Sequence, residues 1–172
     1  MSDSVTLHSI SVPAYIESLG ALAGWLDKAG DDTLLEARLA DDMFPLSAQV
    51  RIACDQAMGT LKRLTSKAIV LSDDNDATIE AAKARIAQVI EVLRGVTEAD
   101  FPAPGSAVAL DLPNGMAFDF TALEYVRDWA VPQFYFHIST AYAILRMKGV
   151  ALGKADYLSY AMKFLRKAPA MA

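Results

Sequence analysis

Two histidines and one cysteine among 172 residues leave little from which to build a metal centre or a nucleophilic dyad. The lone Cys54 excludes an intrachain disulfide. In the helical stretch Arg51-Ile52-Ala53-Cys54 it reads as a small buried apolar residue. There is no Gly-rich phosphate loop, no CxxC pair and no GxSxG elbow. No Ser-His-Asp order supports a triad. No uncharged apolar stretch reaches the ~20 residues that a membrane span requires. No basic residue precedes an apolar run at the N-terminus, so a signal peptide is not expected. The expected location is cytoplasmic, with no membrane partner. Positive charge is also scarce. Sixteen Lys and Arg face 21 Asp and Glu, a net charge of -5 that argues against a nucleic-acid partner. The only basic cluster, Lys163, Arg166 and Lys167, sits near the C-terminus and reads as cations at the negative end of a helix.

What is present is hydrophobic patterning. Hydrophobic residues make up 53% and charged residues 22%, a globular composition, and the length suits one domain over residues 1–172. Tyr15, Leu19, Leu22 and Leu26 share one helical face, which predicts a helix from about Ser11 to Ala29 with Pro13 in its first turn. A linker over 31–44 follows, with a short turn of helix expected at Leu34 to Leu39. Pro45 opens a second helix to about Ser66, with Leu46, Val50, Ala53, Ala57, Leu61 and Leu64 as its stripe. A third helix is expected from about Asp76, with Ile79, Ala82, Ile86, Val89 and Leu93 facing inward and Gly95 closing it.

The period then changes. Val108, Leu110 and Leu112 alternate with Ala109 and Asp111, and Met116, Phe118 and Phe120 alternate with Ala117 and Asp119. Asn114-Gly115 between the runs predicts a hairpin with a tight two-residue turn. Two strands alone are marginal, so their apolar face must pack on helices. Thr121-Ala122-Leu123-Glu124 has the form of a capping box and opens a fourth long helix to about Lys148. Pro132 should kink it. Its stripe is Leu123, Val126, Ala130, Phe134, His137, Ala141 and Ile144. A short fifth helix is expected over Lys154 to Lys167. The fold class is therefore all-α: a four-helix bundle with a small β-hairpin and a short C-terminal helix, its connections long enough for a crossover.

The segment Pro132-Gln133-Phe134-Tyr135-Phe136-His137-Ile138-Ser139-Thr140-Ala141-Tyr142-Ala143-Ile144-Leu145-Arg146 is distinctive, as is Gly149 to Leu158. With Asp42-Met43-Phe44-Pro45-Leu46 and Ser11-Val12-Pro13, these segments resemble a bacterial family catalogued only as a domain of unknown function. That family is similar to the DinB/YfiT-like superfamily of four-helix bundles, many of whose members are regarded as metalloenzymes. The resemblance spans nearly the whole chain and implies a DinB-like bundle, a homodimer, and no assigned activity. The metal sites of that superfamily take one histidine from the second helix and an HxxxH pair from the late helix, because residues four apart project onto one helix face and can grip one ion. His137 matches the first histidine of the pair. Ala141, four residues on, cannot ligate. The second helix has no histidine, and Gln49 lies near that ligand's place; an amide oxygen is a poor substitute for imidazole on zinc or nickel.

His137 lies on the apolar stripe. It reads either as a neutral core histidine bonded to neighbouring groups, or as a pocket histidine acting as base, hydrogen-bonding partner or residual metal ligand. Gln49 and Gln56 share a helix face and read either as lining a polar cavity or, as glutamine usually does, as sitting at the bundle edge in water. Gln133 is one turn before His137. Tyr142 reads as packing, with a possible hydroxyl in a pocket. Asp55 reads as the partner of Arg51 at i,i+4 or as a carboxylate of an unusual His-Asp metal site. His8 is expected to be exposed and inert. The candidate ligand-binding set is His137, Gln49, Gln133 and Tyr142, with no cofactor expected and His137 as the one metal-type donor if zinc or nickel binds. Three functions follow: a non-catalytic bundle binding a small molecule, a metal-dependent enzyme of the thiol-transferase or hydrolase type, or a structural dimerisation module.

Overall fold

The structure is a computed structural model and describes residues 5–166. Helix α1 runs Leu7–Ala29. It starts earlier than the predicted Ser11 because Thr6 and Ser9 cap it reciprocally, each side chain satisfying the other's backbone N–H. Ser11 is a buried helical residue whose hydroxyl donates to the Leu7 carbonyl at 2.6 Å, and Pro13 lies inside the helix. Gly30, with φ of +59°, ends α1 in the left-handed conformation glycine favours. A 3₁₀ turn at Asp32–Glu36 replaces the expected turn at 34–39, nucleated by Asp31 accepting from the Thr33 N–H. Helix α2 is Leu46–Leu64 and α3 is Ile79–Arg94. Helix α3 begins later than expected because Thr78 caps it, while Asp76 is held by Arg85.

Three contacts orient the helices. The starts of α1 (Leu7) and the end of α2 (Leu64) share one apolar cluster with the hairpin. His8 in α1 bonds Val96, just beyond α3, so α3 also ends there. At the opposite end, Asp32 accepts from the Ile79 N–H at 2.7 Å, so α3 begins where α1 ends. Helices α2 and α3 therefore run parallel, and residues 65–78 must return along the bundle to connect them. This strap is the crossover. Ala68, Ile69 and Leu71 press onto the core, and Arg85 grips its far end.

The hairpin pairs β1 (Ala107–Asp111) with β2 (Ala117–Thr121), Val108 opposite Phe120 and Leu110 opposite Phe118. Its turn differs from the expected two-residue form. Gly115 N–H donates to the Leu112 carbonyl at 2.9 Å, and Gly115 alone in the turn has positive φ, at +85°. Pro113 fixes the first turn position and Asn114 takes the second, which leaves glycine as the left-handed third residue of a longer loop. Buried Val108 and Leu110 close one end of the bundle over Leu7, Leu64, Tyr125 and Val126.

The last long helix is composite: α4 (Ala122–Glu124), a π-helical turn at Tyr125–Ala130, and α5 (Val131–Met147). Thr121 and Glu124 form the predicted capping box. The disturbance expected at Pro132 takes the form of that π turn, in which the Val131 N–H bonds the Val126 carbonyl five residues back. The extra residue per turn shifts the apolar face. Leu123 is consequently exposed, while Ala122, Tyr125 and Val126 are buried. Beyond Val126 the predicted stripe is buried as expected. Helix α1 packs on α3 and α5, and α2 packs on the same two, so α1 and α2 occupy opposite corners of the four-helix bundle. In place of one fifth helix there is a short α6 (Lys154–Tyr157) and a 3₁₀ segment at Ser159–Phe164. Lys167 lies outside the described residues. Lys163 is paired with Glu17 of α1 and is not only a helix-end cation.

Candidate functional site

His137 projects from α5 between buried Phe134 and Ala141 and faces Gln49 in the first turns of α2. Gln49 is 1% exposed, which overturns its placement at the bundle edge. The site is built from the glutamine outward. Its Nε2 donates to the Phe44 carbonyl at 3.1 Å, which leaves only Oε1 to face the histidine. Oε1 lies 2.8 Å from His137 Nδ1 and, as a carbonyl oxygen, must accept. His137 is therefore held with its proton on Nδ1, and the Nε2 lone pair is the free one. Nε2 makes no hydrogen bond among the described residues and is not among the fully buried polar atoms lacking a partner, which are Ser18 Oγ and Ser47 Oγ. The histidine as a whole is 7% exposed. Burial, with a smaller push from the Arg51 charge, lowers the imidazole pKa to about 4, so the ring is neutral at pH 7. The Phe136 ring stands edge-on to the imidazole at 5.2 Å and is itself exposed, as is Phe44.

The other two candidates make no hydrogen bond to this pair among the described residues. Gln133 is half-buried and lines a surface recess of about 340 Å³ with Asp128, Trp129, Pro132 and Phe136. Tyr142 packs between Trp25 and Tyr157, with ring centroids 5.3 and 5.4 Å away. Gln56 is half-buried, and its carbonyl takes the Thr60 hydroxyl. Asp55 pairs with Arg51 at 2.9 Å, the helical i,i+4 pair, and partial burial raises its pKa. His8 is half-buried rather than exposed; it donates through Nε2 to the Val96 carbonyl at 3.2 Å. Sequence reasoning did not find the contribution of Phe44, because a backbone carbonyl carries no sequence signal. Trp129 and Phe136 were detectable in principle, being seven residues apart and so on one helix face.

The metal site implied by the superfamily can be tested against these donors. Among the described residues, no three or more His, Cys, Asp or Glu side chains come together in a way that could hold an ion. Position 141 is alanine, and the Gln49 oxygen is already occupied by the His137 N–H. The residues present do not fit a three-ligand zinc or nickel site. The pair itself is checkable. Gln49→Leu leaves the Nδ1–H without an acceptor and is expected to cost about 1–3 kcal/mol in denaturant unfolding. It should also release the tautomer, seen as mixed ring-nitrogen shifts in ¹⁵N NMR. Unchanged stability and a single Nδ1–H form would refute the assignment.

Residues 7–158 match the family model described as a domain of unknown function, DUF1993. The fold and sequence are similar to the crystal structure of a DinB family member protein from Shewanella denitrificans. The two share 37% identity with a TM-score of 0.79, over 96% of this chain and 95% of that one. No curated protein matches the chain.

Proposed function

We propose a binding role without catalysis, from the premise that the chain belongs to the DUF1993 family and is a DinB-like helical bundle. In this reading the superfamily's metal site has degenerated, and what remains binds a small molecule. The observation that carries it is the Gln49–His137 hydrogen bond. It takes up the oxygen nearest the missing ligand's place and presents a neutral imidazole as a hydrogen-bond acceptor. A ligand for such a group must bring a donor, an O–H or N–H, to Nε2. The exposed ring of Phe136, 5.2 Å from the imidazole, offers apolar surface beside it.

One observation favours a second reading, a metal-dependent thiol transferase or hydrolase. An imidazole oriented through Nδ1 presents Nε2 as metal-ligating histidines do. Metal analysis of untagged protein, wild type and His137→Ala, separates the two. The binding reading expects metal well below one equivalent in both, with metabolites that stabilise only the wild type in thermal-shift screening. Near-stoichiometric zinc or nickel that disappears in His137→Ala would overturn it and support the enzyme.

A further inference from the structure

The outer face of the composite helix carries a second group of side chains, which meets the Gln49–His137 pair at Phe136. Its origin is the π turn. The Val131 N–H is committed to the Val126 carbonyl, and Pro132 has no N–H. The Arg127 carbonyl therefore has no helical donor four or five residues ahead. Trp129 and Phe136 are seven residues apart on the same face and, with Pro132, line the recess. Trp129 is braced from behind by Phe118 and Phe120, with centroids at 5.2 and 6.3 Å. Phe136 is 56% exposed, and its one aromatic contact among the described residues is the T-shaped pair with His137. Gln133 and Asp128 complete the lining.

These groups share one electrostatic character. Two aromatic residues and a carboxylate line the recess, and no cationic side chain is among its lining residues. Asp128 is bonded to Arg127 at 2.7 and 2.6 Å, but both residues are exposed sequence neighbours, and such surface pairs hold the charge only weakly. An incoming cation can share the carboxylate. The chain's net charge of -5 adds a long-range attraction of the same sign.

We infer that this recess, lined by Trp129, Phe136, Gln133 and Asp128, is a binding site for a small organic cation of the alkylammonium or quaternary ammonium class. The ammonium rests on the two aromatic faces and neutralises Asp128, as in aromatic cages. At about 340 Å³ the recess is at the small end of ligand sites, suited to a compact head group. The site goes beyond the reading of His137, with which it shares the Phe136 ring.

The two tryptophans supply the test. Trp25 is buried with its indole N–H bonded to the Asp156 carbonyl at 3.1 Å, so its NMR cross-peak is an internal control. Titration with tetramethylammonium chloride, at constant ionic strength, should move the Trp129 indole cross-peak saturably and leave that of Trp25 in place. Phe136→Leu and Asp128→Asn should each weaken binding, by about two- to fivefold for the aromatic face. His8→Ala, whose ring contacts Val96 and Phe101 away from the recess, should bind as the wild type does. No saturable shift, an equal response to the neutral isostere tert-butanol, or unaltered affinity in both recess variants would overturn the assignment.

Discussion

Replacing Arg85 with leucine should lower stability by about 3–5 kcal/mol, the cost of stranding one partner of a buried ion pair. Arg85 and Asp76 have only 8% and 12% of their side chains exposed. The guanidinium contacts both carboxylate oxygens of Asp76, at 2.8 and 3.3 Å, and donates to the carbonyls of Ser72 and Asp74, both at 2.9 Å. Leucine would leave a carboxylate and two carbonyls without their donor. The damage reaches beyond the pair, since these contacts anchor the strap that connects the parallel helices α2 and α3. For a chain of this size the loss corresponds to a fall in melting temperature of roughly 6–20 °C. The double variant Arg85→Leu/Asp76→Leu should recover part of it, because no charge is then left buried. Denaturant unfolding of the two variants decides the matter: a single variant within about 1 kcal/mol of wild type would mean that the strap is held by its apolar contacts alone.

The second large effect is acid sensitivity originating in one ring. The folded His137 pKa is about 4, against 6.5 in the unfolded chain. Between these values the unfolded chain takes up a proton that the folded protein excludes, so stability falls as pH drops. The contribution is fully present above pH 6.5, declines from there to about pH 4 and is constant below. The separation corresponds to about 3 kcal/mol at most. Carboxylates also titrate at the acid end, so the diagnostic quantity is the difference between wild type and His137→Leu. That difference should change with pH across 6.5 to 4, and the His137 C2–H resonance should titrate near pH 4. A midpoint near 6.5 would mean that the ring is not held as described.

Much of the bundle was legible because it follows from local periodicity. The inward faces of α1, α2 and α3, the Thr121–Glu124 capping box and the Asp55–Arg51 pair are all short-range consequences of helical spacing. Misreadings arose where two local signals competed. Thr6–Ser9 capping prevailed over Ser11 and Pro13 as the start of α1. Pro113 moved the hairpin turn off Asn-Gly. The π turn exposed Leu123 by inserting an extra residue that no apolar pattern registers.

The candidate site divides along the same line. His137 was recognisable as a polar residue on an apolar stripe, and the absence of histidine at position 141 and throughout the second helix was plain from the letters alone. That the glutamine of α2 meets the histidine of α5 was not, because the two are 88 residues apart and joined only by packing. The sequence by itself determined the elements, their buried faces and the poverty of metal donors, all properties of residue type and near-neighbour spacing. Tertiary structure alone decided the parallel α2–α3 pair and its Arg85-anchored strap, the tautomer of His137, and the packing of Tyr142 against Trp25 and Tyr157. Each of these depends on which helix face meets which, and that is settled by the packing of the whole core.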